Sequence, residues 1–143
     1  MDFLLAIQQR YAEYMEQIAD ARKKAPPFAG LLGMGKDPRK HPCNEAFYRD
    51  VEGLADEFVR SRPDAQEALT LVRWMLAAPV GHEKEDAYWY LYAAQGHCRA
   101  MIPLLPPADC GELLAWYDQR FPRRKRLPVQ EEIYTLLAKQ AAK

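Results

Sequence analysis

Four carboxylates are spaced so that each pair shares one face of a helix. Glu13 and Glu16 stand three residues apart, and Glu52 and Asp56 stand four apart; neighbours at those spacings project side by side. Acids arranged this way can hold a divalent cation such as Mg²⁺. A second set of candidate ligands is softer: His41, Cys43, His97, Cys98 and Cys110. None of these pairs has the C-x₂-C or H-x₃-H spacing that presents two zinc ligands from one element. His97 and Cys98 are adjacent, so on a helix they diverge by about 100°. The three cysteines therefore read as small core residues. His82-Glu83-Lys84-Glu85-Asp86 has acids but no second histidine, and its acids suit a helix N-terminus. Gly30-Leu31-Leu32-Gly33-Met34-Gly35-Lys36 matches most of a phosphate-cradling loop. It fails at Asp37, where a hydroxyl would bind Mg²⁺, and it is flanked by prolines rather than by a strand and a helix.

The carboxylate pairs resemble the ExxE…ExxD magnesium-binding arrangement of the all-α, MazG-like nucleoside triphosphate pyrophosphatases. Glu13 and Glu16 have that family's spacing. In the second half Gly53 stands three before Asp56, and Glu52 comes one residue earlier. The resemblance implies an enzyme in which Glu13, Glu16, Glu52 and Asp56 hold the Mg²⁺ ions that position water against a triphosphate. The alternative is that these acids are the solvated side of two amphipathic helices, with Arg60 pairing Asp56 at i,i+4.

Two irregular segments have the composition of contact surfaces. Ala25 to Pro42 is too long for an ordinary connection in a compact domain, where loops beyond about 12–15 residues are uncommon. It sets Phe28, Leu31, Leu32 and Met34 among glycines and follows them with Lys36. Further along, Arg120, Arg123, Arg124, Lys125 and Arg126 fall within seven residues. From Arg120 onward there are seven cationic residues against two acids. Such a cluster attracts phosphate or an acidic protein surface, and arginine's planar fork suits bidentate contacts. The competing expectation is that Arg120 and Arg123 cap the carbonyl end of the preceding helix.

The elements that position these residues are helices. Leu4, Ile7, Tyr11, Tyr14 and Ile18 alternate three and four apart and predict a helix to about residue 24, where Pro26-Pro27 ends it. Phe47, Val51, Leu54 and Phe58 predict a second helix over 43–60. Ser61 is expected to cap a third, over 63–78, that buries Leu69, Val72, Trp74, Met75 and Leu76. A fourth starts near Glu83 and runs through the aromatic stretch Tyr88–Tyr92 to Ile102. Its spacing puts Asp86, Tyr90 and His97 on one side, and Gly96 is expected to mark a close helix crossing. The fifth covers 107–120 with Leu113, Leu114, Trp116 and Tyr117 inward. The sixth covers 128–141 with Pro128 at its first position and Val129, Ile133, Leu136 and Leu137 inward. Helix starts recur every 20–24 residues from residue 43 onward. This leaves a short HEAT-like solenoid as the alternative to an irregular antiparallel bundle of about six helices.

Composition sets the outer limits. The 143 residues include 49% apolar and 11% aromatic side chains and carry no formal net charge. That is enough apolar surface for one folded domain and too balanced a charge for a whole-protein grip on nucleic acid or anionic lipid. No apolar run reaches the ~20 residues of a membrane span, and Met1-Asp2-Phe3-Leu4 does not read as a signal peptide. The odd cysteine count suits a reducing cytoplasm. The expectation is an all-α cytoplasmic domain that acts as a non-catalytic protein-interaction module without a cofactor. Its contacts would be Phe28, Leu31, Leu32, Met34, Lys36 and the 120–126 cluster. A homo-oligomer, a Mg²⁺-dependent hydrolase and a weak nucleic-acid binder remain as alternatives.

Overall fold

The computed structural model describes residues 1–24, 41–77 and 88–143. Among the described residues the chain is all-α and contains no strand. Six α-helices follow in order: α1 (Phe3–Lys24), α2 (Cys43–Arg60), α3 (Ala65–Ala77), α4 (Tyr88–Ala93), α5 (Pro107–Arg120) and α6 (Pro128–Ala141). Two 3-10 segments, Ala94–Ala100 and Ile102–Leu104, lie between α4 and α5, and a third, Arg123–Lys125, lies between α5 and α6. The contact residues expected at Phe28, Leu31, Leu32, Met34 and Lys36 lie outside the described residues. So do His82–Asp86.

The hydrophobic spacing decides which faces meet. In α1, Ile7, Tyr11, Tyr14 and Ile18 are all buried, and they lie on the stripe that a 3.6-residue period brings together. They pack on Phe47, Val51 and Phe58 of α2, where the Tyr14 ring stacks on Phe47 at 4.2 Å and Tyr11 meets it edge-on at 4.9 Å. The Tyr14 hydroxyl donates to Oδ1 of the buried Asn44, so the pair satisfies its polar atoms inside the core. α5 packs on α6 through Leu113, Tyr117, Ile133 and Leu137. The Ala94–Ala100 segment touches α2, α3, α4 and α6 and so runs through the middle of this bundle.

Two expectations are corrected here. Ser61 does not cap α3. Its backbone N–H and its hydroxyl instead satisfy carbonyls at the end of α2, the hydroxyl donating to Phe58 O at 2.5 Å. Arg62 then takes φ 54°, the left-handed conformation that commonly ends a helix. The redirected chain brings Asp64 into the capping place, and its Oδ1 accepts from Glu67 N–H at 2.8 Å.

The long fourth helix is also not continuous. It is α-helical over Tyr88–Ala93 and then tightens to 3-10 geometry. Pro103 bars α-helical bonding only in the last turn, because it has no N–H to offer the carbonyl of residue 99 and its ring would collide with that carbonyl; the change at Ala94 lies beyond its reach. The chain instead uses i→i+3 bonds, Met101 N–H to Cys98 O at 2.9 Å and Leu104 N–H to Met101 O at 2.9 Å. Side chains pin the result. Gln95 Nε2 donates to Leu76 O at 3.4 Å, and the Tyr117 hydroxyl donates to Gln95 Oε1 at 2.7 Å. Gln140 Nε2 donates to Leu105 O at 2.8 Å. Gly96 is buried within this segment. A Cβ there would meet the Arg99 guanidinium at 3.0 Å, so the missing side chain makes room for Arg99. Its Nε and Nη2 reach both Glu132 oxygens at 2.7 Å.

Candidate functional site

The four carboxylates proposed for Mg²⁺ do not converge. Glu13, Glu16, Glu52 and Asp56 are all exposed. Glu13 lines a depression between α1 and α2 with Arg10, Asp50 and Glu57, whereas Glu52 lines a different groove beside α4. Among the described residues no three His, Cys, Asp or Glu side chains come together as a metal would require. The reason is the apolar stripes: α1 and α2 spend their shared face on Tyr11, Tyr14 and Phe47, which turns the acids outward. The cysteines do not assemble a site either. Cys43, Cys98 and Cys110 are free and buried, and burial pushes the Cys98 thiol up to about 12. His41 Nδ1 is spent locally, accepting from Cys43 N–H at 3.1 Å.

The basic cluster divides in two. Arg126 is interior, its side chain only 2% exposed. Its Nε donates to Phe121 O at 2.8 Å, Nη2 to Asp118 Oδ1 and Nη1 to Glu131 Oε2 at 3.3 Å. The guanidinium carbon sits 4.0 Å from the Tyr134 ring centroid. Arg126 is therefore removed from the list of contact residues. It ties the end of α5 to the start of α6 because both helices present acids and an aromatic ring to the turn between them. Arg120 lies over the Phe121 ring at 4.8 Å and is half-buried. Arg123, Arg124 and Lys125 form the 3-10 turn itself and are exposed. None of these three makes an ion pair among the described residues. Trp116, expected inward, is 36% exposed. It borders a groove of about 350 Å³ with Ala77, Leu113 and the Arg73–Glu112 pair.

A second polar constellation was not legible as a site. Glu45, Tyr48, Arg49 and Glu52 of α2, with Tyr90 and Ala93 of α4, line an open groove of about 500 Å³. The available signal was their i, i+3, i+4, i+7 spacing along one flank of α2. Beneath it the Tyr48 ring rests on His97, centroids 4.4 Å apart. The imidazole Nε2 is buried and has no partner among the described residues. Asp86, the third member of the network expected with Tyr90 and His97, lies outside the described residues.

Burial holds the His97 pKa below its ordinary value, against the opposing pull of Glu52, the Tyr48 backbone and Asp56; nearby Arg99 adds to the lowering. The unfolded chain therefore takes up the proton first, at about pH 6.5. Stability contributed by the neutral imidazole is complete above that pH and is lost as pH falls towards the folded value. We expect the melting temperature to drop between about pH 7.5 and pH 5.5. His97→Phe, which keeps a ring against Tyr48, should flatten that dependence. An unchanged pH profile in the variant would show that other groups set it.

Neither protein-family models, curated proteins nor solved structures yield a match to this chain.

Proposed function

We propose that the protein is a non-catalytic interaction module that meets an acidic surface of a partner protein through the turn Arg123-Arg124-Lys125. One observation carries the reading: three exposed cations sit on a turn whose backbone is clamped from below by the interior Arg126. A fixed turn loses less conformational freedom on binding than a flexible tail, so more of the contact energy survives as affinity. A protein partner fits better than nucleic acid, since the chain has no formal net charge and three cations are a short track along a phosphate backbone. The dispersed carboxylates give the hydrolase reading no site to stand on. No helix among the described residues is long and apolar enough to cross a membrane.

The test uses a fluorescent hexaglutamate peptide and a DNA duplex, each titrated against the full chain at two salt concentrations. Replacing Arg123, Arg124 and Lys125 together by Gln should weaken the peptide by about tenfold, three exposed charge contacts' worth. Equal binding by the variant would refute the assignment. Tighter binding of the duplex than of the peptide, lost in the same variant, would move the partner class to nucleic acid.

A further inference from the structure

We propose that the groove between α2 and α4 binds the ammonium or guanidinium head of an organic cation. The argument starts from its lining. Two tyrosines, Tyr48 and Tyr90, line it together with two carboxylates, Glu45 and Glu52, and Arg49 is the one cation of the lining among the described residues. Aromatic rings attract cations through the negative face of the π-system, and carboxylates beside them complete the charge. The Tyr48 wall is held in place from behind. Its ring packs on His97, centroids 4.4 Å apart. A ring backed by another ring meets a ligand already ordered, which lowers the entropy lost on binding.

Tyr48 is half-buried on α2 without belonging to the core stripe of Phe47, Val51 and Phe58. Arg49 stands between Glu45 and Glu52 in sequence, at i+4 from one and i−3 from the other. It makes no ion pair with either among the described residues, but its charge opposes a visiting cation. A visiting cation meets that repulsion beside the two acids, so the site favours heads that gain from the rings as well as from the carboxylates. This pocket is separate from the Arg123–Lys125 turn and does not depend on the role proposed for that turn.

The opposing charge of Arg49 yields a test with opposite signs. Tetramethylammonium, arginine methyl ester and a short blocked peptide carrying one lysine are titrated into the full chain, with backbone amide shifts of Tyr48, Glu52 and Tyr90 read by NMR. Saturable shifts at these residues are expected for the free cations. Glu52→Gln should weaken binding about two- to fivefold, and so should Tyr48→Leu. Arg49→Gln should tighten it by a similar factor. Glu13→Gln, in the separate α1–α2 depression, should leave it unchanged. If the peptide binds more tightly than the free cations, the natural source of the head is a basic protein segment. If the free cations bind as well, it is a small molecule. Absence of saturable shifts for all three probes overturns the site. So does equal binding by Glu52→Gln, or weaker binding by Arg49→Gln, and Glu52 is exposed enough that its variant will fold.

Discussion

Arg126→Ala should lower stability by about 2–3 kcal/mol, the range for losing hydrogen bonds to a charged donor. A domain of this size would then melt about 6–10 °C lower. The argument rests on where the guanidinium sits. It is interior, it satisfies the Phe121 carbonyl at the end of α5, and it lies over the Tyr134 ring of α6. Its two acid partners, Asp118 and Glu131, are about half exposed. They regain water when the arginine is removed, so the loss stays below that of a buried pair broken in dry surroundings. Arg126→Lys keeps the charge but not the planar fork, and should recover less than half of the loss. The same substitution reaches the proposed function indirectly. With the clamp gone the turn Arg123–Lys125 loses its fixed geometry, and acidic-peptide affinity should fall although Arg126 itself is not exposed. Thermal denaturation combined with the peptide titration checks both. A variant that loses stability but keeps full peptide affinity would mean that the turn's charge, and not its shape, makes the contact.

Phe47→Ala should cost more, about 3–5 kcal/mol, as for other large-to-small changes at fully packed aromatic positions. Phe47 is wholly buried, stacked on Tyr14 and edge-on to Tyr11. Its removal opens a cavity where α1 meets α2 and takes the stacking partner from Tyr14, while Tyr11 keeps only its edge contact with Trp74. Set against a typical total of about 5–15 kcal/mol, that is enough to place the variant near the edge of folding. Urea denaturation measures the difference directly. Trp116→Ala provides the contrast. Although tryptophan is the larger side chain, Trp116 is partly exposed at a groove rim, and its loss should cost less than that of Phe47. The reverse order would mean that α5, and not the α1–α2 contact, carries the heart of the core.

How much of this was legible beforehand depends on the range of the interaction involved. The boundaries of α2, α5 and α6 follow from apolar spacing, Pro128 and the prolines before α5, all local signals that act within a turn or two. Local sequence does not separate Ser61 from Asp64 as the cap of α3, because both have capping side chains. The choice between them was made by the left-handed Arg62, a backbone conformation that an arginine does not advertise. The sequence predicts a continuous fourth helix because the apolar pattern runs on from the aromatic stretch to Ile102. The tightened segment is held instead by partners from α3, α5 and α6.

The amino-acid order by itself determined an all-α chain and the inward stripes of α1, α2, α3 and α6, because apolar periodicity near 3.6 is written residue by residue. Only the tertiary structure decided the fate of the charges. Arg126 went inside while its neighbours Arg123, Arg124 and Lys125 stayed out, and the carboxylates Glu13 and Glu52 ended in separate depressions. The same packing set two tyrosines from different helices beside Glu52. A charge or ring takes its role from whatever other elements bring within hydrogen-bonding distance, and that proximity is a property of the folded chain rather than of any stretch of it.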